Sequence, residues 1–188
     1  MGKVLYGIKN VHIAVLTEAN DGTISYGTPF AVEGATGFSP EPQGESTIFY
    51  ADNKIYFRKD LNNGYEGELE LAVAPEKFLT DILGRTKDSN GLVLETANDT
   101  TTRFALMFEG DGDPQNRRFV YYDCTTTRPT REFATTEDTI EVGTETLTIT
   151  IAPRSSDGAV GGYIEPNENN TAVYNAFFDS VLEKSASV

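Results

Sequence analysis

The stretch Gly64–Gly84, GYEGELELAVAPEKFLTDILG, constrains the fold most. Leu69, Leu71 and Val73 alternate with Glu68, Glu70 and Ala72. That two-residue period belongs to a strand with one buried and one wet face. Ala74-Pro75 then breaks the strand. Proline suits the first turn of a helix, where its missing N–H has no intrahelical partner. Glu76 follows where the helix dipole favours negative charge. Phe78, Leu79, Ile82 and Leu83 recur at helical spacing, which predicts a helix over about 75–83 with one apolar stripe. Gly84 fits the left-handed residue just past a helix end. So short a helix needs a sheet to pack on.

The rest of the chain supplies strands. Val11–Leu16 reads as one, with Val11, Ile13 and Val15 on one face, followed by an Asn20-Asp21-Gly22 turn and a return strand over Thr23–Tyr26. Ser46–Ala51 and Lys54–Lys59 read as an aromatic hairpin around Asp52-Asn53. Asp88–Gly91 is a turn before a short strand at Leu92–Thr96. Phe104, Leu106 and Phe108 alternate with Ala105 and Met107, and Gly110–Pro114 turns the chain into Arg117–Cys124. That strand has apolar residues on both faces, so it is either central or at an interface. Glu145–Ala152 has the cleanest alternation, Leu147, Ile149 and Ile151 against Thr146, Thr148 and Thr150. Pro129 marks an edge or a bend.

Two segments break the pattern. Gly27–Glu45 is rich in glycine and proline yet carries Phe30, Val32 and Phe38. It reads as a long loop whose apolar residues await a partner surface. Ser155–Asn170 reads as a surface loop, followed by an amphipathic helix from Thr171 to Leu182 with Val173, Phe177 and Val181 packed. The expected architecture is mainly β: an antiparallel β sandwich or barrel with one flanking helix and a C-terminal helix. Residues 1–152 form the β domain, and 153–188 a loop and helix packed on the same domain.

Charge and residue types narrow the function. Lys and Arg number 15 and Asp and Glu 29, a net charge of −14. This opposes ordinary nucleic-acid binding and attraction to anionic membranes. No apolar run is long enough to span a bilayer, and the start lacks a signal-peptide pattern. The lone Cys124 rules out an intrachain disulfide and fits synthesis in a cytoplasm. His12 is the single histidine and lies in a strand, which argues against Ser-His or Cys-His catalysis and against a zinc site. Glu109, Asp111, Asp113 and Asn116 could surround a calcium ion, but their spacing is not that of an EF-hand, and a hairpin turn explains them. No catalytic, cofactor or metal set is expected.

In order along the chain stand YGIKNVHIAVLTE, YGTP, FYADN, GYEGELELAVAPEKFLTDILG, DSNGLVLE, FALMFEGDGDPQNRRFVYYDC, TEDTIE and TETLTIT. Over about Tyr6–Ile151 this series resembles the major tail proteins, or tail tube proteins, of long non-contractile-tailed phages of Gram-positive bacteria. The resemblance implies a tail-tube fold related to type VI secretion tube proteins. It implies hexameric rings stacked around a tape measure protein and completed by tail terminator and distal tail proteins. Phage DNA would pass through the lumen without specific binding. The protein would be made in the host cytoplasm and reside in the virion tail. It also implies that Gly27–Glu45, with Phe30, Val32 and Phe38, docks on neighbouring subunits. Glu66, Glu68 and Glu70 are candidate lumen charges, and the same three could instead lie outside or between subunits. A carbohydrate- or surface-binding β-sandwich module is the alternative, and the lack of tryptophan weighs against it.

Overall fold

The structure, a computed structural model, describes residues 7–131, 133 and 143–185. Thr136–Glu141, one part of the resemblance, lies outside the described residues, as does Tyr6. The elements are β1 (Lys9–Glu18), β2 (Ile24–Tyr26), β3 (Phe30–Ala31), β4 (Ala35–Gln43), β5 (Ser46–Ala51), β6 (Lys54–Asp60) and β7 (Gly64–Leu71). Then come α1 (Glu76–Asp81), β8 (Thr86–Lys87), β9 (Val93–Leu94), β10 (Phe104–Glu109), β11 (Arg118–Thr126), β12 (Glu145–Ile151), β13 (Gly161–Ile164) and α2 (Thr171–Asn175). The fold is mainly β, and every strand pair is antiparallel.

One nine-stranded sheet dominates, in the order β2-β1-β10-β11-β12-β7-β4, with β13 also on β11 and β3 also on β1. The segment that carries β3 and β4 closes it. β3 pairs with β1 while β4, a few residues on, pairs with β7. The Val32 N–H donates to the Val11 carbonyl at 2.8 Å, and the Ala72 N–H to the Gly34 carbonyl at 2.7 Å. One segment therefore stitches the two ends of the sheet together. Gly34 turns the chain there with φ +83°, a region a side chain disfavours. The loop reading of Gly27–Glu45 is thus corrected: it holds two strands. Alternation does not reveal β4, whose sequence carries Pro40 and Pro42. An edge strand tolerates proline where the missing N–H would point away from its neighbour.

Inside the curve, Val11, Ile13, Val32, Leu69, Leu71, Phe104, Leu106, Leu147, Ile149 and Ile151 form one buried cluster with Phe78, Leu79, Ile82 and Leu83. The helix stripe thus faces the core as its spacing predicts. Pro75 is the residue before the helix, at φ −62°, and Gly84 follows it at φ +72°. Val73 departs from the alternation. β7 ends at Leu71, the chain bends, and Val73 turns out to solvent.

The opposite face of β1, β10 and β11 carries a second, smaller core of Met107, Val120 and Phe177. The C-terminal segment covers it. α2 spans only Thr171–Asn175, so the helix expected through Leu182 is shorter, and Phe177, Phe178, Val181 and Leu182 pack from turns and extended chain. Val173 is exposed. Two guanidinium groups fasten the segment. Arg118 lies 4.0 Å over the Tyr174 ring and donates to the Tyr174 carbonyl. Arg154, buried, pairs with Glu183 and stacks 4.7 Å over Tyr122. The segment read as a loop over Ser155–Asn170 contains β13, whose GGYI sequence has no alternation to announce it.

Phe78 is fully buried and meets Phe104 edge-on at 6.4 Å. Phe78→Ala should cost about 3–5 kcal/mol, read as a lowered midpoint in chemical denaturation. An unchanged midpoint would show that the helix does not carry the core.

Candidate assembly surfaces

The aromatic hairpin is the surface least explained by the chain's own packing. Among the described residues β5 and β6 pair only with each other. Asp52 and Asn53 both take positive φ, 51° and 59°, the conformation of the tight turns that join twisted strands. At the base, the Leu61 N–H donates to Glu45 and the Asn63 N–H to Gln43, each at 2.9 Å. β4-β5 and β6-β7 are therefore one long ribbon, half in the barrel and half beyond it. Phe49 faces Phe57 across the ladder, Ile48 faces Arg58 and Tyr50 faces Ile55, with an irregularity that accommodates Tyr56. Directly paired residues share a face. Phe49 and Phe57 thus lie on one side, and Ile48, Tyr50 and Ile55 on the other. All are exposed, Tyr56 by 76%. A two-stranded ribbon is marginal alone in water, and so much contiguous apolar surface marks an interaction site. Sequence reasoning found the hairpin and missed its role. The signal was there: Phe49-Tyr50 and Tyr56-Phe57 are consecutive, so neither strand has a single face to bury.

Phe30, Val32 and Phe38 sit elsewhere. Val32 is in the core, and Phe30 and Phe38 pack against that core, half-buried. Lys77 Nζ lies 5.0 Å over the Phe30 ring. Phe38 meets Phe108 at 5.5 Å and Tyr121 at 6.2 Å, both edge-on. They hold the barrel's closing strands in place.

Glu66, Glu68 and Glu70 are exposed together on the outer face of β7, as the alternation predicts. Thr150, Thr148 and Thr146 of β12 stand opposite them on one side. Glu41 and Ser39 of β4 stand opposite Glu66 and Glu68 on the other. No lysine or arginine occurs in β4, β7 or β12. The result is a face of carboxylates and hydroxyls three strands wide.

Several of the other polar groups that the sequence singles out have partners within the chain. The Asp113 carboxylate is buried, accepts from Arg117 Nε at 2.6 Å, and lies below its usual pKa because of that guanidinium. Glu109 accepts from Arg118 at 3.0 Å and from Asn10 at 2.6 Å. Among the described residues no group of three or more His, Cys, Asp or Glu is placed to hold a metal. His12 stacks on Phe178 at 4.5 Å and donates through Nδ1 to the Asn10 carbonyl at 2.9 Å. Asp157 is held at about 2 by its bond to Arg154.

These features define a β-barrel subunit with a projecting ribbon and an acidic sheet face. The sequence model of a family described as phage tail tube protein matches residues 2–175. The chain belongs to that family; it is a structural component of a phage tail that assembles into a tube, not an enzyme. Among curated proteins no relative matches. Two solved structures are similar in shape. The anti-feeding prophage cap, a tube terminating cap, has a TM-score of 0.47 and 11% identity, covering 88% of this chain and 96% of that one. A chain of the PVC sheath-tube complex of an extracellular contractile injection system, in the extended state, has a TM-score of 0.45 and 9% identity, covering 84% and 89%.

Cys124 is fully buried, and burial pushes its thiol well above its ordinary pKa. A buried, protonated thiol is a poor nucleophile. The native protein should resist a thiol reagent at neutral pH and react once unfolded by denaturant. Rapid stoichiometric labelling of native protein would contradict the placement of Cys124 in the core.

Proposed function

We propose that this chain polymerises as stacked hexameric rings into the tail tube, the conduit through which the phage genome is delivered. Residues 1–152 act as the tube domain, and 153–188 belong to the same unit. The tube surrounds a tape measure protein and is bounded by tail terminator and distal tail proteins. The subunits are made in the host cytoplasm and end in the virion. The observation that carries this reading, beyond family membership, is the uncovered ribbon of β5 and β6. A subunit that stayed alone would leave Ile48, Phe49, Tyr50, Ile55, Tyr56 and Phe57 in water, at a cost of about 25 cal/mol per Å². The inter-subunit role expected for Phe30, Val32 and Phe38 passes to the ribbon that continues their segment. The glycan-binding alternative would use these aromatics as a platform. Their division between both faces of a narrow ribbon favours burial between protein surfaces instead.

Replacing Thr47–Lys59 by a two-residue turn tests this. The variant should fold with the melting temperature of the parent and form neither rings nor tubes in electron microscopy. Normal tubes from the truncated chain would refute the ribbon's role.

The acidic face is the proposed lumen wall. DNA slides best past a surface that offers phosphate no cation, and repetition around a ring multiplies each carboxylate. Glu68→Lys with Glu70→Lys should leave tails of normal length whose DNA ejection is slowed, most at low salt where screening is weak. Unchanged ejection would place this face away from the lumen.

A further inference from the structure

The chain contains two Asn-Gly steps, Asn63-Gly64 and Asn90-Gly91. Such a step is chemically fragile, because glycine has no side chain to keep its main-chain nitrogen away from the preceding carboxamide. That nitrogen can attack the asparagine Cγ. The Cγ–Nδ2 bond then breaks, and the amide group leaves with the nitrogen's proton as ammonia. Water opens the resulting cyclic imide at either carbonyl, giving aspartate or isoaspartate. In sum, a carboxamide and water become a carboxylate and ammonium, with nothing oxidised or reduced. The glycine N–H must be free of the sheet, the main chain must rotate until nitrogen meets Cγ, and water must reach the ring.

The fold treats the two steps differently. Asn63 donates its N–H to Gln43 at 2.9 Å, and the Gly64 N–H donates to Asn62 Oδ1 at 3.0 Å. Gly64 is buried, paired with Gln43 in the β4–β7 ladder, and a Cβ on it would stand 1.8 Å from the Ile151 carbonyl oxygen. No rotation is possible there without opening β7. Asn90 and Gly91 are exposed at the turn of β8 and β9, a ribbon of two residue pairs that joins no other strand among the described residues. Nothing lies within 4 Å of where a Gly91 Cβ would be. The Gly91 N–H makes a turn bond to the Asp88 carbonyl at 3.1 Å, which opens without disturbing the core. The Asp88 carboxylate organises this turn. It accepts from the Leu92 N–H at 2.8 Å, the Asn90 N–H at 2.9 Å and Asn90 Nδ2 at 3.3 Å. A carboxylate at position 90 could not donate and would repel Asp88. The isoaspartate form would also lengthen the main chain of the turn by one carbon.

We propose that Asn90 is a site of spontaneous deamidation, where the folded chain gains a negative charge with age and its β8–β9 turn unlocks, while Asn63 stays intact. The inference is independent of the tube reading. The test is long incubation of the folded, full-length protein at neutral pH, followed by digestion and peptide mass spectrometry. Asn90 converts to a mixture of aspartate and isoaspartate about tenfold or more faster than Asn63, a barrier difference of about 1.4 kcal/mol. In denaturant, where the surroundings of Gly64 are gone, the two rates become similar. Asn90→Gln, which cannot form the same ring, removes the acidic species that isoelectric focusing resolves in the aged protein. Asn90 intact in the aged folded chain, or Asn63 converting as fast, overturns the assignment. A rate ratio that persists in denaturant overturns the role given to the fold. Asn90→Asp reproduces the unlocking directly: the melting temperature is kept, because the turn lies outside the core, and hydrogen exchange at the Leu92 amide rises about tenfold. Unchanged exchange at Leu92 refutes the unlocking.

Discussion

Two main-chain hydrogen bonds hold this barrel shut. Val32 donates to Val11 and Ala72 donates to Gly34, at 2.8 and 2.7 Å. Between them the chain passes from β1, near one end of the sheet, to β7, near the other. Without that crossing, the β1 and β7 ends of the sheet would lie several strands apart, at about 4.8 Å per strand. The apolar faces of the sheet could then not surround α1. Val32 and Val11 are both buried at the crossing, so the bond between them is shielded from water, where competing hydrogen bonds would weaken it. The large core, with Phe78 and Ile82 at its centre, exists because the ends meet.

Closure also determines what is left outside. β7 must present Leu69 and Leu71 inward, so Glu66, Glu68 and Glu70 are necessarily outward. The same alternation in β12 puts its threonines beside them. The ribbon is the outward extension of the β4–β7 pair, and its strands outrun the strands that could flank them. Its exposure follows from length: the base is covered by β12 on one edge, and no strand among the described residues flanks the tip. On the far face of the sheet, Arg118 and Arg154 hold the C-terminal segment over Met107 and Val120, which leaves that face finished. The exposed large apolar side chains gather most densely on the ribbon, while Leu92, Leu94, Tyr163 and Val173 are exposed singly or in pairs elsewhere.

Elements with a single buried face were legible in the sequence. The alternation of β7 and β12 and the stripe of α1 follow from periodicity, and the Asp52-Asn53 turn from its residue types. The closing segment was not legible, because Pro40 and Pro42 imitate a loop and its partner strands are distant in sequence. Val73 continues the period of β7 but not its strand, since the bend before Pro75 ends the pleat first. α2 stops early because Phe177 and Phe178 are held by tertiary contacts: Phe177 enters the core, and Phe178 stacks on His12. The acidic stripe was legible as a face, and which space it lines is a property of the assembly. The ribbon's aromatics were legible as strand residues. Their exposure depends on what the rest of the chain fails to reach, which no local pattern records.

The open edge of β4 shows how a chain with sticky parts avoids pairing in the wrong place. β4 ends the sheet, and an unpaired edge is a template for another strand. Proline has no N–H to offer, so Pro40 and Pro42, which pair with Gly67 and Tyr65 of β7, fit where the backbone nitrogen faces away from β7 and withhold donors from the free edge. Strand addition there is discouraged over the half of β4 that leads into the ribbon. Glu41 adds charge between the two prolines. Main-chain pairing at that edge is thereby disfavoured, which suits the proposed use of the ribbon's side chains as the assembly surface. A subunit that must join many copies in one register gains from such a bias, because main-chain pairing tolerates slippage by two residues while interlocking side chains do not.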